Sequence, residues 1–286
     1  MTAAPQKRKA NRSLLQRYAA APHIVWAVLF VIAPLIFVAY YAFTDTVDGK
    51  IIFSIENIKE FFTPEYLTIF GRSVSLAFVS TVICLLLGYP IAYFISRTKP
   101  KTQRLLILLI MLPMWMNFLI RTYAIMVLIQ DTGIINTFLG NFKIPPMKIF
   151  GTEAAVVLGM VYDYLPYMIL PIYSVMARLD YKLVEAASDL GCNGFKVMTK
   201  VIFPLSLSGV ISGITMVFVP SISTFYISQK LGSPDTILIG DAIEMAYGMS
   251  DYNLTAALSF ILMLILVIGL AVVNKYTDDD GGGMFV

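Results

Sequence analysis

Two ionisable side chains stand inside long apolar runs, where a charge at the bilayer centre costs about 3 kcal/mol or more unless it is paired or solvated. One of them is Asp163, which has Tyr162 directly before it and Tyr167 one helical turn after it. A carboxylate beside aromatic faces can receive an alkylammonium ion through charge and cation–π attraction. The pattern therefore indicates a place for an organic cation on a path through the membrane.

The second ionisable side chain is Arg121, in another apolar run. At 1.5 Å per residue, Arg121 and Asp163 both lie roughly 13–15 Å from the outer ends of their predicted helices. An ion pair between them is thus geometrically possible, and pairing is the usual fate of such groups. In that alternative both charges serve structure. Polar, aromatic or acidic side chains elsewhere that could line the same path are Trp115, Asn117, Tyr226 and Glu244.

A polar island, residues 179–204, separates two apolar runs. Its first half predicts a short amphipathic helix with Asp180 as N-cap and Gly191 as a left-handed C-cap. A second short helical run, 194–201, comes before Pro204. The residues expected on the apolar face of the first helix are Leu179, Leu183, Ala186, Ala187 and Leu190. Such a helix suits binding by a second protein, and an ordinary interfacial helix is the alternative.

The elements that position these residues are membrane helices. Of the 286 residues, 58% are hydrophobic and only 14% are charged, whereas a soluble domain carries about 25% charged residues. The single histidine and the two cysteines, Cys84 and Cys192, fall in different surroundings, so we expect neither a disulfide nor a Cys/His metal site. No phosphate-binding P-loop pattern occurs, so the chain itself is not expected to hydrolyse ATP. We expect no cofactor and no nucleic-acid partner.

Apolar runs of spanning length predict an all-α polytopic membrane protein with six transmembrane helices. The runs lie at about 23–43, 73–95, 105–129, 154–176, 203–225 and 254–273. The first is too long for a signal peptide and lacks a cleavage site, so we interpret it as an uncleaved helix. Gly209 and Gly213 in the fifth predict close helix packing, within the chain or against a partner subunit. The predicted organisation is a basic segment at 1–22, a transmembrane domain at 23–275 and a disordered tail at 276–286.

Lysine and arginine concentrate in residues 1–22, 97–104 and 178–200, and they are sparse in 44–72, 130–153 and 226–253. The positive-inside rule then predicts that both termini and the polar island are cytoplasmic. The third outer segment, 226–253, carries Asp235, Asp241, Glu244 and Asp251, and its middle predicts a short amphipathic helix.

The polar island resembles the EAA loop of ABC importer permeases. It contains Glu185, Ala186 and Ala187, then three residues, Gly191, nine residues and the sequence VIFP, which ends at Pro204. The family pattern closes with I-x-L-P, from which Val201 and Phe203 depart conservatively. The resemblance implies a type I (MetI-like) permease fold in the bacterial plasma membrane. It also implies that Glu185, Ala186, Ala187, Gly191 and Pro204 couple the chain to an ATPase.

Longer stretches, 112–124, 159–180, 219–232 and 238–247, make the chain similar to the spermidine/putrescine permeases within that family. This similarity implies polyamine import together with a second homologous permease, two cytoplasmic ATPase subunits and an extracytoplasmic polyamine-binding protein. An ABC permease for another small solute is one alternative. A secondary carrier that uses Asp163 and Arg121 as a proton or ion relay is another, although the sequence shows no inverted repeat of the kind such carriers contain.

Overall fold

The computed structural model describes residues 21–47, 50–180 and 182–278. Most of the predicted basic segment, residues 1–20, lies outside the described residues, as do residues 279–286 of the predicted tail and Tyr181 in the polar island.

The described chain is almost entirely helical, with one two-stranded hairpin. The elements before the middle of the chain are α1 (Ala21–Ala42, with a π-helical turn at Val28–Ile32), β1 (Thr44–Val47), β2 (Lys50–Phe53), α2 (Glu56–Phe61), α3 (Pro64–Ser96), α4 (Pro100–Trp115), α5 (Phe118–Ile129) and α6 (Ile134–Asn141). The remaining elements are α7 (Glu153–Met176), α8 (Lys182–Asp189), α9 (Gly194–Leu205, with a π-helical turn at Met198–Ile202), α10 (Leu207–Ile222), α11 (Tyr226–Leu231), α12 (Ile239–Gly248) and α13 (Tyr252–Asp278).

Among the described residues, five helical segments are long and apolar enough to cross a membrane. They are Ala21–Ala42, Pro64–Ser96, Phe118–Asn141, Glu153–Met176 and Tyr252–Val273. The pair α9 and α10, bent by 68°, makes a sixth if it is taken as one span. The predicted class, an all-α polytopic membrane protein, is confirmed.

The core of the molecule lies where α3, α7 and α10 pack together. Fully buried Met168 and Ile172 of α7 stand at its centre with Cys84 of α3 and Val217 of α10. In contrast, most side chains of α1 are exposed and apolar, as expected of a helix that faces lipid, and only its C-terminal end is buried, where Ala42 packs on Ala256 and Ala257 of α13.

Two glycines allow α10 to approach α7 closely. A Cβ atom at Gly209 would lie 2.9 Å from the carbonyl oxygen of Pro171, and one at Gly213 would lie 2.7 Å from the sulfur of Met168. The close packing predicted for this stripe is confirmed, and its neighbour is a helix of the same chain rather than a partner subunit.

The predicted third span, 105–129, is not one helix. α4 ends at Trp115, Met116 and Asn117 adopt extended angles, and α5 begins at Phe118. Asn117 causes the restart, because its side chain accepts a hydrogen bond from the backbone N–H of Leu119 and so caps α5.

The predicted start of the fifth span, residue 203, is also wrong. The helix that begins at Gly194 continues through Pro204 to Leu205, and the chain bends at Ser206 before α10. A wide π-helical turn just before Pro204 accommodates the proline, which has no N–H to donate. The Ser206 hydroxyl lies 3.1 Å from the Tyr89 hydroxyl, which ties the bend to α3.

Candidate functional site

Helix α8 has the boundaries that the sequence predicts for the polar island. The Asp180 side chain accepts a hydrogen bond from the N–H of Lys182 at 3.0 Å. At the other end Gly191 has φ of 81°, and the N–H of Cys192 donates to the carbonyl of Ala187 at 3.1 Å. This six-to-one bond and the left-handed glycine form a Schellman C-cap, which ends α8 at Asp189.

The exposed face of α8 differs from the prediction. Val184 and Ala187 pack on the core, whereas Leu183 and Leu190 of the predicted apolar face are exposed, Leu190 by 87%. Glu185 and Ala186 are exposed beside them. The reason is that, within α8, only Val184 and Ala187 reach the core cluster. A carboxylate within an exposed apolar patch is a surface suited to another protein.

The segment after Gly191 holds α8 in place. Asn193 caps α9 by accepting a hydrogen bond from the N–H of Lys196 at 2.9 Å. Val197 and Ile202 are buried in the same core cluster as α3 and α7, while Pro204 is exposed. Residues 185–204 therefore form a continuous packed segment between α8 and the bend at Ser206.

The second candidate site is the buried pair of Arg121 and Asp163. Arg121 is 5% exposed and Asp163 is 0% exposed, and Nε of Arg121 lies 2.6 Å from Oδ1 of Asp163. The N–H of Arg121 is not aligned with that oxygen, so the contact is an ion pair rather than a well-formed hydrogen bond. Thr122 adds a hydroxyl donor 3.4 Å from the other carboxylate oxygen. The ion-pair alternative is the one that the structure displays.

Arg121 also closes the break between α4 and α5. Its Nη1 donates to the carbonyl of Pro113, in the last turn of α4, at 3.2 Å. A cation is favourable at this place because the C-terminal end of a helix carries partial negative charge. The guanidinium carbon lies 5.9 Å from the centre of the Phe118 ring. The arginine thus joins the end of α4, the start of α5 and the middle of α7.

Tyr162 and Tyr167, which the sequence places beside Asp163, do not enclose its carboxylate. Tyr162 and Tyr167 are exposed on α7, whereas Asp163 is fully buried against α5. The aromatic faces that the sequence predicts beside the carboxylate are therefore not supplied by Tyr162 or Tyr167. Trp115 and Asn117 at the end of α4 are also exposed, so the structure does not bring them to the buried carboxylate.

A cation does lie between aromatic rings elsewhere. Nζ of Lys230 in α11 is 5.6 Å from the ring centres of both Tyr123 and Tyr226. Tyr226 in turn packs on Phe118, with ring centres 6.0 Å apart. The sequence places Tyr226 on the path but does not predict its contact with Lys230, because no local pattern links α5 to α11.

The segment that joins α10 to α13 contains a buried acid. Asp241 is 4% exposed, and its Oδ2 accepts a hydrogen bond from the N–H of Leu238 at 2.8 Å. Burial raises the pKa of Asp241 to about 6, while the Leu238 N–H and the side chains of Ser228 and Gln229 act in the opposite direction. Glu244, named from the sequence, is exposed and accepts from Nε2 of Gln229 at 2.6 Å. The acidic residues of this segment were noticed in the sequence, but the burial of Asp241 was not.

Comparison with known families gives a match over most of the chain. A family model described as a binding-protein-dependent transport system inner membrane component matches residues 84–276. The spermidine/putrescine transport system permease protein PotB of Haemophilus influenzae is 38% identical over 260 residues, which cover 87% of this chain and 91% of that protein. The protein of the same name from Escherichia coli is 34% identical over 253 residues, 86% of this chain and 92% of that protein.

A solved structure shows the same fold at low identity. It is a chain of a bacterial alginate ABC transporter in complex with an alginate pentasaccharide-bound periplasmic protein. The superposition has a TM-score of 0.75 at 13% identity and covers 96% of this chain and 97% of that chain.

Proposed function

The chain belongs to the family of binding-protein-dependent transport system inner membrane components, and on that premise we propose that it is the permease subunit of an ATP-driven importer of polyamines. The observation that carries the proposal is similarity along nearly the whole chain to spermidine/putrescine transport permeases. Spermidine and putrescine are flexible aliphatic chains that carry two or more ammonium groups. Acidic and aromatic side chains are therefore the groups that would bind them.

Energy reaches this chain through α8 in the proposed mechanism. Glu185 and Ala186 meet an ATPase subunit in the cytoplasm, and the exposed Leu183 and Leu190 supply apolar contact area. Because α8 packs on the core through Ala187, movement of the ATPase would be transmitted into α7 and, through Pro204 and the bend at Ser206, into α10. ATP hydrolysis itself takes place on separate subunits in this proposal.

The remaining partners follow from the same assignment. A second homologous permease completes the translocation path, two ATPase subunits bind at the cytoplasmic face, and an extracytoplasmic protein delivers the polyamine. The residues that we place on the path are the exposed Trp115, Asn117, Tyr162, Tyr167 and Glu244, together with the half-buried Tyr226. Arg121 and Asp163 hold the path together as a buried pair, since each neutralises the other.

The proposal includes an orientation and a division of the chain. Both termini are placed in the cytoplasm, residues 23–275 form the transmembrane domain, and residues 179–204 form the coupling loop within it. Residues 1–22 and 276–286 are cytoplasmic segments outside that domain.

The proposed substrate is tested by ATP hydrolysis of the assembled transporter in lipid nanodiscs. Binding protein loaded with spermidine or putrescine should stimulate hydrolysis, whereas the same protein offered amino acids or neutral sugars should not. Stimulation by an amino acid and not by any amine would assign the chain to an importer of another solute. Matched reactions without the binding protein give the unstimulated rate.

A further inference from the structure

A cavity of about 300 Å³ opens between α11, α12 and the loop that joins them. We call it the Asp241 cavity. The side chains that matter for its chemistry are Ser228, Gln229, Ser233, Thr236, Asp241 and Met245. None of these residues is among those that we place on the substrate path. One path residue, Glu244, lies on α12 together with Asp241 and Met245.

Asp241 lines the cavity, and one of its carboxylate oxygens makes no hydrogen bond of ordinary geometry. Asp241 is 4% exposed, its Oδ2 accepts from Leu238, and its Oδ1 has no hydrogen-bond partner. Ser228 is close to the carboxylate, but its hydroxyl donates to the carbonyl of Phe225 at 2.7 Å. Gln229 is close as well, and one N–H of its amide donates to Glu244. A buried anionic oxygen in this state is costly, and a cation that enters the cavity removes the cost.

The other walls indicate what kind of cation fits. The hydroxyl oxygens of Ser233 and Thr236 lie 2.9 Å apart. Because a hydroxyl oxygen has two lone pairs, each of these two oxygens can accept a further hydrogen bond. Met245 and Ile237 form an apolar wall. No group of three or more His, Cys, Asp or Glu residues that could hold a metal ion occurs in the described part of the chain. One carboxylate oxygen, two hydroxyls and an apolar wall suit an ammonium group, which has three donors, on an aliphatic chain.

We propose that the Asp241 cavity binds the terminal ammonium group of an aliphatic polyamine, with Asp241 Oδ1 as its principal acceptor. The methylene chain lies along Met245 and Ile237. Glu244, three residues after Asp241 on α12, attracts a second ammonium group at the cavity mouth. The inference rests on the proposed function for the class of ligand, and it adds a receiving site between the fifth and sixth spans.

Thiol labelling of the full chain in the assembled transporter tests the cavity. Met245→Cys lines the cavity, and Met249→Cys, four residues further on, does not and serves as the matched control. Both are made after Cys84 and Cys192 have been replaced by alanine, and a neutral maleimide is the reagent. Putrescine and spermidine should slow labelling of Met245→Cys several-fold and leave Met249→Cys unchanged, while butan-1-ol at the same concentration should protect neither.

Asp241→Asn tests the acceptor, since asparagine keeps an oxygen for the Leu238 N–H and removes the charge. The amine concentration that gives half-protection should rise by roughly tenfold or more, the range expected for loss of a hydrogen bond to a charged group. Asp251→Asn is the control, because Asp251 also caps a helix, through the N–H of Leu254, but lies outside the cavity. If Asp241→Asn does not assemble, Ile237→Trp, which fills the cavity and keeps the carboxylate, should abolish protection.

Equal protection of both cysteines, or unchanged protection in Asp241→Asn, would overturn the proposal. The assay also separates this inference from the proposed function. ATP-driven amine uptake without protection of Met245→Cys overturns the cavity and leaves the function standing. Protection without any uptake supports the cavity and contradicts the function.

Discussion

At the scale of single residues, the arrangement of Arg121 and Asp163 explains why two charges are stable inside a membrane protein. Each is almost completely buried, and the attraction between them offsets part of the cost of burying both charges. Thr122 and the carbonyl of Pro113 add polar contacts to the two sides of the pair. The pair therefore fixes α5 against α7 and holds the broken end of α4.

Removal of one charge should destabilise the protein, and removal of both should not. Asp163→Asn leaves Arg121 buried without its counter-ion, which costs about 3 kcal/mol. Arg121→Gln added to Asp163→Asn replaces the ion pair by two neutral amides and should restore most of the stability. Thermal unfolding of the purified complex in detergent measures both effects.

A different result would reassign Asp163. If Asp163→Asn is as stable as the unaltered protein but loses amine-stimulated ATP hydrolysis, the carboxylate meets the substrate and the structural role is wrong. Loss of assembly that the double variant does not repair would show that the carboxylate has a further partner.

The sequence allowed the pair to be predicted but not its surroundings. Helical rise alone placed Arg121 and Asp163 at equal depth, so their contact needed no knowledge of packing. The direction in which Tyr162 and Tyr167 project depends on which face of α7 meets α5, and single-chain periodicity does not determine that. The cation–π contacts of Lys230 join elements that are distant in sequence, and they were not foreseen for the same reason.

At the scale of elements, the short helix α8 is the most specific feature of the chain. Its two caps were predictable because each depends on local chemistry, the Asp180 side chain at one end and a left-handed glycine at the other. The exposed face of α8 was not predictable, because packing against other helices determines that Val184 rather than Leu190 contacts the core.

The C-cap of α8 should be more sensitive to substitution than the next glycine along the chain. Gly191→Val places a β-branched residue at φ of 81°, a strain of about 1–2 kcal/mol, whereas Gly194 has no atom within 4 Å of a new Cβ and a negative φ. Gly191→Val should therefore reduce ATP-driven transport strongly at normal expression, and Gly194→Val should reduce it little. Equal transport by the two variants would argue that the C-cap does not position α8.

The contact of α10 with α7 gives a second comparison between glycines. Gly209→Ala would place a Cβ 2.9 Å from the Pro171 carbonyl and should lower stability by about 1–3 kcal/mol. Gly269→Ala in α13 meets no atom within 4 Å and should be neutral or slightly stabilising, because alanine favours the helix. The two midpoints of thermal unfolding provide the test, and a shift of equal size in both variants would contradict the close packing of α10 on α7.

Breaks within predicted spans were less predictable than the spans themselves. Apolar length indicated a membrane helix through residues 105–129, but Asn117 carries a capping signal that could have been noticed in the sequence. The Asp48-Gly49 pair is typical of a two-residue hairpin turn and would have predicted the β1–β2 hairpin.

At the scale of the whole molecule, the two ends of the helix bundle are distinguished by their contacts. Arg72 near the start of α3 pairs with Glu153 at the start of α7 at 3.5 Å, and it also donates to the carbonyl of Asp235. At the opposite ends of these two helices, Arg97 and Leu179 line a common cavity. α3 and α7 are thus parallel, and the two sets of segments separated by charge lie at opposite ends.

Accessibility in intact cells should show which end is cytoplasmic. Single cysteines at the exposed positions Lys101 and Ser188 should be shielded from an impermeant thiol reagent, whereas cysteines at Lys59 and Asp235 should react. Cys84 and Cys192 are first replaced by alanine, and permeabilised cells give the maximum labelling. The inverse pattern would overturn the orientation inferred from the distribution of lysine and arginine.

The central claim is that this chain carries polyamines inward on energy delivered by separate ATPases through α8. Uptake of labelled spermidine into vesicles that contain the complete transporter is its most direct measurement, with ATP and ATPases on the same face as α8 and loaded binding protein on the other. We predict uptake that requires ATP, persists when the proton gradient is collapsed, and is lost in Glu185→Lys at normal assembly. Uptake that runs on a proton gradient without ATPases would contradict the account and favour a secondary carrier.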